Sequence, residues 1–91
     1  MFKLIETKTY KRKLKKILKK HPEIFKKYEK TIYLLEANPF HPSLRLHKLK
    51  GEMQEFYLVS IDMSNRIIID FIVIDEQIFL IDIEEHEEVY W

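Results

Sequence analysis

Residues 66–74 read R-I-I-I-D-F-I-V-I. An extended chain sends successive side chains to opposite faces, so a half-buried strand alternates apolar and polar residues. Here Ile67, Ile69, Phe71 and Val73 fill one parity, and Ile68, Ile72 and Ile74 fill most of the other. A run apolar at both parities is expected to be a central strand covered on both faces. Working outward, residues 62–65 and Asp75-Glu76 read as polar turns. The segments beyond them, 56–61 and 78–83, read as strands, which makes an antiparallel meander. Gly51 is the single glycine and marks the turn before it, and Leu44 and Leu46 alternate with Arg45 and His47 as in a further strand.

The first forty residues have a different period. After residues 1–7, which suit a short edge strand, Tyr10, Leu14, Ile17 and Leu18 fall at i, i+4, i+7 and i+8. That spacing makes one apolar stripe on a helix ending near His21. Pro22 suits the first turn of a second helix, in which Phe25, Tyr28, Ile32 and Leu35 recur at spacings of three and four, and Asn38-Pro39 stops it. The expected fold is α+β: two N-terminal helices, after a short edge strand, packed on a small antiparallel β-sheet. Helices cover one face of such a sheet, and loops, the C-terminal tail or a partner chain remain for the other.

A chain of 91 residues, 46% of them apolar, supports one core, and residues 1–91 are read as a single domain. With no cysteine, a disulfide framework, a thiolate metal site and a Cys nucleophile are excluded. The N-terminal tract around Phe2, Leu4 and Ile5 is too short for a signal peptide, and no apolar run approaches the roughly 18 residues of a membrane span. A cytoplasmic location is expected. The net charge of +1 conceals a strong polarity: residues 1–50 carry 15 − 4 = +11 and residues 51–91 carry 1 − 11 = −10. A basic half of this kind suits a polyanion or an acidic protein, although lysines also simply solvate exposed helix faces.

Several side chains are candidates for chemistry. His21, at a helix junction, reads as a surface residue, and His41, in the loop Asn38-Pro39-Phe40-His41-Pro42, as a turn former. His47 is expected to share a strand face with Arg45, opposite Leu44 and Leu46. Arg66 is the sole Lys or Arg after residue 50. Its guanidinium fork matches two phosphate oxygens, or equally a structural carboxylate partner. His86 lies among Glu84, Glu85, Glu87 and Glu88, which favour an imidazolium able to act as general acid, and Tyr90 and Trp91 offer rings that stack on a base. His41 and His47 do not have a zinc-ligand spacing and HExxH is absent, so no metal is expected. One glycine cannot build a phosphate loop, a nucleophile elbow or a dinucleotide fingerprint, and no nucleotide cofactor is expected.

The segments N-P-F-H-P-S-L-R-L-H-K-L-K-G (38–51), S-N-R-I-I-I (64–69) and I-D-I-E-E-H-E-E-V-Y (81–90) resemble the RelE/ParE toxin superfamily of type II toxin-antitoxin systems. Within it they look most like the RelE/YafQ branch of ribosome-dependent mRNA interferases. The resemblance covers nearly the whole chain. It implies a toxin held by a cognate antitoxin, which cleaves mRNA in the ribosomal A site without a metal. His47 and His86 would then be the acid-base pair, in either order, with Arg66 as phosphate clamp and Tyr90 as the aromatic that orients substrate. Lys11, Arg12, Lys15, Lys16, Lys19, Arg45, Lys48 and Lys50 would contact RNA on the ribosome. The chain departs from the YafQ pattern at Ser60, where a further histidine stands, at Ser64 and Asn65, where an acidic-aromatic pair stands, and near Asp82, where an arginine stands. A ParE-like inhibitor of DNA gyrase and a non-enzymatic nucleic-acid or protein binding module are the alternatives on the same fold.

Overall fold

The computed structural model describes residues 1–49, 56–72 and 75–85. Strand β1 (Lys3–Glu6) is followed by helix α1 (Lys8–Lys20), a 3-10 turn at Pro22–Ile24, helix α2 (Phe25–Ala37), a second 3-10 turn at Pro42–Leu44, and strands β2 (His47–Lys48), β3 (Tyr57–Ser60), β4 (Asn65–Ile72) and β5 (Gln77–Glu85). The sheet has five strands in the order β1-β5-β4-β3-β2. Strands β2 to β5 form the expected antiparallel meander. The edge strand β1 departs from it: it pairs with β5 in parallel, Lys3 beside Gln77 and Glu6 beside Leu80, so the sheet is mixed rather than wholly antiparallel. A parallel pairing is open to these strands because the whole of the intervening chain, helices included, serves as the crossover between them.

Helix α1 starts where the chain leaves the sheet edge. Thr7 caps it: its Oγ1 accepts from the Tyr10 amide at 3.3 Å and donates to the Leu80 carbonyl at 2.8 Å. One hydroxyl thus satisfies a helix-end amide and ties the helix to β5. The expected stripe packs inward, with Tyr10 and Ile17 buried and Leu14 and Leu18 against the same core. Of the expected α2 stripe, Leu35 is buried, Tyr28 and Ile32 pack against the core, and Phe25 departs from it. Pro22 opens the 3-10 turn, which buries Ile24, while Phe25 is 47% exposed and Thr31 joins Leu35 in the interior. The tighter winding of the 3-10 turn places Ile24 rather than Phe25 inward at the helix start.

Central strand β4 behaves over residues 67–69 as its composition requires, while the side chains of Phe71, Ile72, Val73 and Ile74 lie outside the described residues. Ile67 and Ile69 join Val59, Ile78, Leu80 and Ile83 in the core under the helices. Ile68 and its β3 neighbour Leu58 occupy the opposite face and are buried too, at 3% and 1% exposure. A register shift between Ile68 and Ile69 leaves Ile81 as the extra residue on β5.

Candidate nucleic-acid interface

The strand register decides which candidate residues share a surface. Across the meander His47 pairs with Leu58, Leu58 with Ile68 and Ile68 with Asp82, so His47 lies on the sheet face away from the helices. In the adjacent row Ser60 pairs with Arg66 and Arg66 with Glu84, on that same face. Strand spacing and rise put the His47 and Arg66 backbones about 12 Å apart on one surface. Lys48, paired with Tyr57, points to the other face and is exposed. His86, Tyr90 and Lys50 lie outside the described residues.

Arg66 is 4% exposed, and its Nη2 lies 3.1 Å from Oε2 of Glu84. Of the two expectations for this guanidinium, phosphate clamp or structural ion pair, the structure displays the ion pair. A buried arginine requires a counter-charge, and the cross-strand neighbour supplies it. His47 does not sit in a strand with Arg45 as expected. Arg45 follows the Pro42–Leu44 turn with φ 53° and ψ 44°, the left-handed region, and β2 begins only at His47. Leu44, expected on that strand, is instead a core residue at 1% exposure. The imidazole Nδ1 of His47 lies 2.9 Å from the Arg45 carbonyl oxygen, so the left-handed turn fixes the ring's orientation. His41 has the turn role expected of it: its Nδ1 accepts from the Ser43 amide at 3.1 Å.

The charge polarity of the sequence is partly spent within the fold. Lys13 of α1 meets Asp82 at 3.0 Å, Lys20 meets Glu85 at 3.4 Å, and His21 at the end of α1 meets Glu85 at 2.9 Å. These contacts flank a cleft of about 410 Å³ floored by Ile17 and Ile83. Lys11, Arg12, Lys15, Lys16 and Lys19 are exposed and form no ion pair among the described residues, so they present a cationic helix face to solvent.

A second, polar groove of about 560 Å³ lies at the end of the sheet, bounded by α2, the Pro42–Leu44 turn and the β3–β4 turn. It gathers Lys27, Ser43, Arg45, Ser60 and Ser64. Lys27 lies outside the segments that carry the resemblance, and Ser43 within them has no role implied by it; only the chain's return along α2 brings Lys27 beside Ser60. Among the described residues no group of three or more His, Cys, Asp or Glu side chains is placed to hold a metal ion, and no helix is long and apolar enough to cross a membrane.

The architecture, two helices packed on a five-stranded sheet with an antiparallel meander, is shared with solved toxin structures. The chain is similar to a metal-bound toxin from Helicobacter pylori, with 22% identity over 99% of this chain and 100% of that one and a TM-score of 0.76. It is similar also to YafQ from E. coli strain BL21(DE3), with 14% identity over 93% of each chain and a TM-score of 0.76. A chain of the YoeB-YefM complex from Staphylococcus aureus matches at 15% identity over 94% of this chain and 98% of that one, TM-score 0.72. At these identities the likeness is one of fold. No protein-family model matches the chain, and no curated protein matches it.

Proposed function

We propose that the chain is the toxin of a type II toxin-antitoxin module and a metal-independent, ribosome-dependent mRNA endoribonuclease of the cytoplasm. The observation that carries this reading is the placement of His47 and Arg66 on one sheet face of a fold shared with YafQ and YoeB. The reaction is a transesterification. A base takes the proton of the RNA 2′-hydroxyl, O2′ attacks the adjacent phosphorus, the P–O5′ bond breaks, and an acid returns a proton to O5′. The products are a 2′,3′-cyclic phosphate and a 5′-hydroxyl. His47 and His86 are the proposed acid-base pair, each step of which contributes typically about 10² to 10⁴-fold. Tyr90 orients the base, and Arg66 meets the phosphate by exchanging Glu84 for it.

The exposed cations of α1, Lys11, Arg12, Lys15, Lys16 and Lys19, dock on ribosomal RNA, with Arg45, Lys48 and Lys50 as further RNA contacts. An antitoxin partner fits the reading, since a YoeB-YefM toxin-antitoxin complex has this fold on one of its chains. The test is cleavage of mRNA on translating ribosomes. The parent should cut in the A site, and His47→Ala and His86→Ala should each lose about 100-fold or more. A triple variant at His47, Arg66 and His86 that arrests growth like the parent would sink the catalytic reading.

One observation favours a different reading. The burial of Arg66 against Glu84 suits a protein that needs no phosphate clamp, such as a gyrase inhibitor or a binding module. Inhibition of gyrase supercoiling by the parent, with no ribosomal cutting, is the outcome that would select it.

A further inference from the structure

The polar groove at the sheet end gathers two cations and three hydroxyls from four separate parts of the chain: Lys27 from α2, Ser43 and Arg45 from the 3-10 turn and its exit, Ser60 from the end of β3 and Ser64 from the β3–β4 turn. Among the described residues neither Lys27 nor Arg45 has a carboxylate within ion-pair distance, unlike Lys13, Lys20 and Arg66. The one acid on the groove wall, Asp62, is engaged. Its Oδ1 accepts from the Ser64 amide at 2.9 Å, the Asn65 amide at 2.8 Å and Asn65 Nδ2 at 3.0 Å. The groove therefore has a net positive wall with hydroxyl donors, the chemistry that recognises a phosphate rather than a cation or an apolar chain.

Two further observations bear on what the groove binds. Arg45 is held in the left-handed region, which non-glycine residues occupy when the surrounding fold enforces it, and such outliers concentrate at binding sites. The groove also opens onto the candidate face, because Ser60 on its wall is the strand partner of Arg66. We propose that this groove is a phosphate subsite for a single-stranded RNA, taking the backbone of a nucleotide next to the one held over His47 and Arg66. The choice of RNA over an acidic protein segment rests on the cleavage reading and on Ser60 joining the two surfaces.

The probe is a fluorescein-labelled single-stranded RNA decamer read by anisotropy without ribosomes. Substitution by Lys27→Ala with Arg45→Gly removes both cations, glycine is at ease at a left-handed position, and a circular dichroism spectrum matching the parent's with a urea midpoint no lower than the parent's checks that the fold is kept. The double variant should bind about tenfold or more weakly, and its slope of log affinity against log salt should fall by about 1.4, two contacts at about 0.7 each on a single strand. An affinity within about twofold of the parent and an unchanged slope would overturn the subsite, as would a parent that binds no RNA. A glutamate decapeptide that competes as well as RNA would overturn it too, because it would show a groove reading acidic protein. Failure of this inference is separable from failure of the proposed function. A parent that cuts no mRNA, with a groove variant that loses RNA affinity, removes the nuclease and keeps the subsite. A parent that cuts, with a groove variant that binds normally, does the reverse.

Discussion

Arg66 of β4 faces Glu84 of β5 directly across the sheet, with Nη2 of the guanidinium 3.1 Å from Oε2 of the carboxylate. The two differ in exposure: the Arg66 side chain is 4% accessible and that of Glu84 33%. The cation is thus the desolvated member and the carboxylate its link to solvent. Glu84→Gln leaves an acceptor but no charge beside a buried guanidinium. It should cost about 2 kcal/mol in urea unfolding. If Arg66 also serves a phosphate, the same variant should bind RNA more tightly, since a competing anion is gone. An unchanged unfolding midpoint would show that the pair contributes nothing to the fold.

The hydroxyls of Tyr10 and Tyr28 share a hydrogen bond between the helices, and the two ends of that bond are not equivalent. Tyr10 is fully buried, whereas Tyr28 lines a groove with Glu6 and Glu36. Tyr28→Phe strands a buried hydroxyl and should cost about 1–3 kcal/mol. Tyr10→Phe leaves the other hydroxyl within reach of water and should cost less than about 1 kcal/mol. Thermal or urea denaturation of the pair checks the order, and equal costs would contradict the burial argument.

Burial raises the Tyr10 phenol above its ordinary value of 10.0, with the neighbouring Tyr28 adding to the effect, and burial raises Tyr28 as well. A raised value in the folded state means that the folded protein keeps its proton where the unfolded chain has lost it. The stability this contributes is complete below pH 10 and is lost as the pH climbs beyond it. Denaturation midpoints should therefore be level towards pH 10 and drop above it, and Tyr10→Phe should flatten that drop.

Thr7 caps α1 and binds the Leu80 carbonyl through the same hydroxyl. Thr7→Ala should destabilise by about 1–2 kcal/mol, and Thr7→Ser should restore most of it. Hydrogen exchange of the α1 amides gives the local readout, with protection lost at the first turn in the alanine variant.

Arg45 sits at φ 53° without glycine's freedom. Arg45→Gly should raise stability by about 1 kcal/mol by removing the left-handed penalty, although it removes a cation from the groove. A stabilised variant with weakened RNA binding would be the mark of a residue kept for its guanidinium; a destabilised one would show that Arg45 holds the turn by packing.

Much of the architecture was legible in the chain because backbone geometry turns burial into a period. Ile67, Ile68 and Ile69 announced a strand covered on both faces, and the stripe Tyr10, Leu14, Ile17 and Leu18 announced α1, since those readings need only the pleat and the helical turn. The same local logic failed at Leu44 to His47. There an alternation of apolar and polar residues is also compatible with a 3-10 turn and a left-handed residue, and the prolines before it selected that course. It failed again at Phe25, where the tight turn after Pro22 buries Ile24 and leaves the Phe25 ring exposed.

What the chain alone determined is therefore its class, its helices, its meander and the sorting of charge into a basic and an acidic half. Only the tertiary structure decided that β1 lies parallel to β5, that Lys13 is matched by Asp82 across 69 residues, and that Arg66 is buried on Glu84. It decided too that His47 and Arg66 share a face and that Lys27, Arg45 and Ser60 line one groove. The physical reason is range: periodicity is a property of neighbours, whereas pairing, charge compensation and convergence depend on which distant segments the core brings together.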